Sequence, residues 1–246
     1  KTIASLSHLQ DALNFIKMCH QIRAYENVAP LKVSYFLMSV SAIQNEYTSV
    51  KWGHSLIYPQ FGENIYGSSR DYDSTKFLDQ NGNLDVNYLD QLGRNQSLDT
   101  NSIQRRNPFY GWWIKEKVKY EQTGDSNVAG HYFNIIDKNY TLTGFSHNNQ
   151  LHDSGYYTWG QVFSNGFSLK NLDNNDYTTV TGQSVDDFEK TLNAWILKKA
   201  NGVQIEQDKV DAAKAESEKA TNALDDNKKK ITAKQTEINN YKDNVN

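Results

Sequence analysis

From Val203 onward an apolar residue returns at every seventh position: Val203, Val210, Leu224, Ile231, Ile238 and Val245, with only Ser217 breaking the series. A repeat of seven is the seam of a supercoiled helix, and a segment committed to it cannot also wrap around a compact core. The companion seam is poorer. Ala213, Ala220 and Tyr241 suit it, whereas Asn227 and Lys234 weaken it. One good and one poor position fit half of an antiparallel or heteromeric pairing better than a strong parallel dimer, so a partner helix is expected, outside this fragment. Ser184 with Asp187 three residues on resembles a capping box, which starts the helix at residue 184. Continuous helix from there to residue 246 would extend about 90 Å at 1.5 Å per residue.

The apolar material that could form a core therefore lies before residue 200. Hydrophobic residues make up 37% of the 246, enough for one sizeable domain and an appendage. A formal net charge of -3 gives no basic footprint for neutralising phosphates, so a nucleic-acid partner is not expected. No apolar run approaches a membrane-spanning length and no cleavable leader stands at the start, so neither a span nor a signal or anchor is expected within these residues. Cys19, the single cysteine, sits among Leu9, Leu13, Ile16 and Ile22 at helical spacing and reads as a small core residue.

Along the domain, apolar spacing predicts a helix over residues 6–25, broken by Pro30, and a second over 33–47 with Phe36, Leu37, Val40 and Ile43 on one side. The two are expected to pack together. Residues 51–66 read as a loop and 67–106 as a polar insertion. Asn107-Pro108 opens a third helix over 109–122, because proline suits a first helical turn. Three β-prone segments follow, 132–136, 140–145 and 156–163, and are expected to form an antiparallel sheet. Residues 168–183 read as a linker. Helices first and strands after, on short connections, indicate an α+β sandwich rather than alternating βαβ units.

Four groups of residues occur in order: Gly53-His54, Gly62-Glu63-Asn64-Ile65, Trp113-Ile114-Lys115-Glu116 and Gly130-His131-Tyr132, with Pro30-Leu31 ahead of them. Together they resemble the CAP superfamily, the cysteine-rich secretory, antigen 5 and pathogenesis-related 1 proteins. The resemblance covers about residues 6–163. It implies a CAP-type α-β-α sandwich with a short antiparallel sheet over residues 1–167, followed by the coiled-coil-like helix of 184–246. The pairing of such a domain with a charged heptad helix is similar to surface-exclusion-type and adhesin-like wall proteins of Gram-positive bacteria. That implies an extracellular location at the cell surface or wall, and a cell-surface protein or host ligand as partner in adhesion, cell contact or surface exclusion.

By the resemblance, His54, Glu63, Glu116 and His131 converge in one cleft. Two imidazoles and two carboxylates can hold a divalent ion, zinc first among them, with a position left for water. A carboxylate beside an imidazole can equally serve as acid and base in a protease-like hydrolase, with or without the metal. The same four groups could also be a buried hydrogen-bonded cluster that only joins elements. Elsewhere, Asp79, Asn81, Asn83 and Asp85 alternate as in calcium loops, but Gly82 is misplaced and an Asn-Gly turn is the better reading. His147, and His152 with Asp153, fall in a polar stretch and are expected on a solvated face.

Overall fold

The computed structural model describes residues 6–71, 78–95, 107–170 and 177–245; parts of the predicted insertion and linker lie outside that set. The first helix, α1 (Leu6–Tyr25), matches its predicted bounds, and Cys19 is buried in it. Strand β1 (Lys32–Val33) follows, then α2 (Tyr35–Val50), capped by Ser34, which accepts from the Leu37 amide. β2 (Gly62–Ser68) lies where a loop was expected, and α3 (Val86–Arg94) forms inside the polar insertion. Asp79 accepts from the amides of Asn81 and Asn83 around Gly82, whose φ is +79°, so this stretch is the predicted turn.

The third predicted helix begins as a π-helical turn, Tyr110–Lys115, and continues as α4 (Glu116–Thr123). The expected strand over 132–136 is instead a short helix, α5 (Gly130–Ile136). β3 (Leu142–Asn148) and β4 (Tyr157–Ser164) follow, and the expected linker carries a hairpin of β5 (Ser168–Lys170) and β6 (Tyr177–Thr179).

The main sheet has the order β1-β3-β4-β2. It is mixed, not antiparallel throughout, because β1 runs parallel to β3. Pairing puts Phe145 opposite Gln161 and His147 opposite Trp159, which sends them to one face, and Gly144 opposite Val162 and Ser146 opposite Gly160, which sends those to the other. α1 covers the first face, where Phe15 stacks on Phe145 at 4.9 Å. α2 covers the second. The two helices therefore sandwich the sheet instead of packing on each other, and the layers are α-β-α.

α2 meets the sheet through a polar stripe. Ser41 Oγ donates to the Gly160 carbonyl at 2.9 Å, and Asn45 Nδ2 bonds the carbonyls of Ser146 and Thr158 at 3.3 and 3.2 Å. Gly144 permits this approach, since a Cβ there would collide with the Leu37 backbone. Ser41, Gln44, Asn45, Thr48 and Ser49 are buried while Ile43 is exposed, reversing the expected position of Ile43. Below the other face, buried Arg23 ties α1 to four backbone carbonyls, those of Ala29, Ile135, Asp137 and Tyr140, at 2.6 to 3.3 Å.

His147 is buried rather than solvated. Its ring stacks on Trp159 at 4.6 Å, Nδ1 meets Asp11 of α1, and Nε2 lies 2.9 Å from Asp71. Burial alone would push its pKa down, but the hydrogen bonds and charges of both carboxylates overcome this and leave it raised. A cation stabilised by folding contributes fully below the unfolded imidazole pKa of about 6.5 and is lost as pH rises through the folded value. The melting temperature is accordingly expected to fall as pH rises past the unfolded imidazole value and His147 deprotonates. Thermal melts from pH 5 to 9 check this: the descent should flatten in His147→Asn, and an equal descent in that variant would contradict it.

One compact unit is Lys1–Glu189 and a second is Lys190–Asn246. The last helix, α6 (Val185–Val245), starts with the Ser184 hydroxyl accepting from the Asp187 amide at 3.1 Å and continues for 61 residues, about 90 Å of rise. Val203, Val210, Leu224, Ile231 and Ile238 are all exposed, so the predicted seam is formed and uncovered. Among the described residues no helix is long and apolar enough to cross a membrane.

Candidate functional site

Strand β2 is the sheet edge, and its alternation directs Glu63 toward α2 and Asn64 toward α5. On the α2 side, Gln44 Nε2 donates to Glu63 Oε1 at 2.6 Å, and the other carboxylate oxygen of Glu63 meets His54 Nδ1. His54 reaches it from the loop after α2, whose turn is fixed by Thr48 Oγ1 donating to the Gly53 carbonyl at 3.0 Å. Gly53 has φ +136°, which a side chain would resist.

The second pair is built by α4 and α5. A π-helical turn widens the backbone, and Trp112 and Trp113, adjacent in sequence, are both buried there; the turn delivers Glu116 to the start of α4. Glu116 Oε1 lies 2.5 Å from His131 Nδ1, and Oε2 accepts the Tyr132 amide at 3.0 Å. The His131 ring lies against Trp112 with its plane inclined by 26°. Asn64 Nδ2 donates to the His131 carbonyl at 3.1 Å, and Asn134 Nδ2 donates to Asn64 Oδ1 at 2.9 Å, pinning α5 to the edge strand.

These elements bring all four predicted side chains, His54, Glu63, Glu116 and His131, to the lining of one cleft of about 390 Å³. Asn127, Val128, Gly130 and Asn134 complete its walls. Gln44, Asn64 and Asn134 were not singled out as site residues from the sequence. Asn64 stood in the motif already quoted, whereas Gln44 and Asn134 come from elements whose buried face or type was misread, and only tertiary packing reveals them.

Chemically, each imidazole is oriented by a carboxylate on Nδ1, which leaves Nε2 to face a ligand or a proton. Such a carboxylate–histidine pair is also what orients a metal-bound histidine and raises its basicity. Among the described residues no three His, Cys, Asp or Glu side chains already converge as a ligand set. A divalent ion held here would have His54 and His131 as candidate protein ligands, with Glu63 and Glu116 on their Nδ1 atoms and water completing the shell. The donor types suit zinc.

An α-β-α sandwich with a mixed sheet, whose edge strand, preceding loop and following helices converge two histidine–carboxylate pairs, defines a small class of proteins. The model of the cysteine-rich secretory protein family, CAP, matches residues 16–163, more than half of the sequence, and the chain belongs to that family. No curated protein matches it. Among solved structures, the CAP domain of Enterococcal PrgA is similar over 75% of this chain and 72% of that one, at 11% identity and a TM-score of 0.36.

Proposed function

We propose that this protein is a presentation and binding module of a bacterial cell surface, in which a CAP head is carried on a helical stalk and engages a polypeptide on another cell or a host. The observation that carries the reading is α6. A soluble helix of this length with an uncovered heptad seam is built to pair with another helix, and such a pair serves as a spacer for a domain that already has its own core. The head supplies an open cleft with oriented polar groups, the kind of concave site where ligands bind. Adhesion, cell contact and surface exclusion in conjugation are the roles that such a module serves.

Beads coated with the full chain test this reading against Gram-positive cells and host epithelial cells. Attachment is expected with the wild type and is expected to fall at least about tenfold in His54→Ala/His131→Ala, a total loss of roughly 1.4 kcal/mol in binding free energy. Equal attachment of wild type and variant would contradict a role for the cleft.

The second reading, an extracellular protease-like hydrolase, is favoured by the fixed Nδ1 of each histidine, which leaves Nε2 as a base. A bound divalent ion would supply Lewis acidity to that chemistry. His131 with Glu116, or His54 with Glu63, would then move the proton. Hydrolysis of labelled casein that disappears in His131→Ala at unchanged melting temperature separates this reading from simple binding.

A further inference from the structure

The cleft does not end at His54. A second hollow, about 210 Å³, shares His54 and Glu63 with it and is otherwise walled by Leu56, Tyr58, Pro59 and Phe61, with Gln44 at its base. We propose that this annex is a subsite for one large apolar side chain of a bound polypeptide, seated while the backbone of that polypeptide crosses the two histidine–glutamate pairs. The proposal rests on the binding reading given above and specifies the ligand.

The floor of the annex is part of the core. Tyr58 packs edge-on against Phe36 at 6.2 Å, and Phe61 lies 4.9 Å from Phe167, within a cluster that includes Leu37, Val40 and Val162. Its rim is the opposite. Leu56, the apolar side chain at that rim, is 72% exposed, and the next residue along the chain, Ile57, is 53% exposed. Leu56 also has φ +57°, a conformation that a bulky residue rarely holds. A rigid apolar floor beneath an exposed apolar rim is preorganised for burial, and the hollow has room for about seven waters at roughly 30 Å³ each that an apolar group would release.

Charge selects among ligands that could bring such a group. Glu63 and Glu116 are the acidic residues lining the two hollows, and neither lining includes a lysine or arginine. Phosphates, fatty acids and acidic lipids would meet two carboxylates whose only counter-groups in the two linings are the imidazoles already paired with them. A sugar ring in the annex would bury hydroxyls against apolar walls, because Gln44 is already bonded to Glu63. A polypeptide carries neutral amides for the polar cleft and an apolar side chain for the annex, and so matches both halves.

The probes are two blocked pentapeptides, Gly-Gly-Leu-Gly-Gly and Gly-Gly-Ser-Gly-Gly, titrated into the full chain while the His54 and His131 imidazole signals are followed by NMR. The Leu peptide is expected to bind at least about tenfold tighter than the Ser peptide, as burial of a leucine side chain allows. Leu56→Asn removes the apolar rim while placing a residue that accepts positive φ, so its melting temperature should be retained and the discrimination should fall to about twofold or less. Equal affinity for the two peptides overturns the subsite and leaves the polypeptide reading standing. Binding of neither overturns both. Discrimination that persists in Leu56→Asn places the apolar contact elsewhere and overturns the subsite. Binding of zwitterionic phosphatidylcholine vesicles that depends on Leu56, with no peptide discrimination, would overturn the polypeptide subsite and assign the annex to a lipid surface instead.

Discussion

Replacement of Arg23 by alanine is expected to cost about 3 kcal/mol of stability, because a buried carbonyl stripped of its partner loses about 1–3 kcal/mol and water can reach the carbonyls that are only partly buried. Four carbonyls depend on this one guanidinium: Ala29 before β1, Ile135 at the end of α5, and Asp137 and Tyr140 on the approach to β3. Arg23 is 1% exposed, and of the four acceptor residues Ile135 is buried as well, whereas Asp137 and Tyr140 are half-buried and Ala29 is exposed. Lysine is not a substitute, since a single ammonium cannot reproduce the planar fork that reaches carbonyls from separate segments. Urea unfolding of Arg23→Ala and Arg23→Lys measures the effect, and both are expected to be strongly destabilised. A loss under about 1 kcal/mol in the alanine variant would mean that those carbonyls find other partners.

The same residue shows where sequence reasoning reaches its limit. Arg23 closes the last turn of a helix whose bounds were legible from apolar spacing, yet nothing local marks it as a core residue. Its role arises only when α5 and β3 arrive from more than a hundred residues away. The α2 face was misread for a related reason: its contact with the sheet is made by Ser41, Gln44 and Asn45 over glycines, so the apolar period points partly to solvent, at Ile43. β2 escaped notice because its Gly, Glu, Asn and Ser residues have low strand propensity, and pairing with β4 supplies what propensity does not.

Conversely, residues 132–136 contain Tyr, Phe and two Ile and were read as a strand, but Glu116 takes the Tyr132 amide and the segment winds as part of α5. His147 was assigned to solvent from its polar neighbours, although in a strand its side chain points opposite to theirs and enters the layer between Trp159 and Phe15. What was legible was either periodic, as in α1 and α6, or carried by short ordered motifs, as in His54, Glu63, Glu116 and His131. Those four were named from the motifs, and the fold assembles them at one cleft. Their supporting residues, Gln44 and Asn134, are invisible to any local pattern.

We propose that the two histidine–glutamate pairs constitute one site, and zinc offers the most direct probe of it. If His54 and His131 share an ion, either one alone is a poor ligand, and the effect of removing the first should nearly equal that of removing both. The carboxylates act through the imidazoles they orient, so Glu63→Gln and Glu116→Gln should each weaken binding by about 10–100-fold, and the histidine variants by more. Zinc at a hundredfold excess over its dissociation constant should add about 2.7 kcal/mol to the stability of the wild type, read as a rise in melting temperature. The decisive measurement is calorimetric zinc titration of the full chain beside His54→Ala, His131→Ala and the double variant. One ion per wild-type chain, lost in either single variant, is the predicted result; no binding to the wild type, or binding that survives each single substitution, would contradict it.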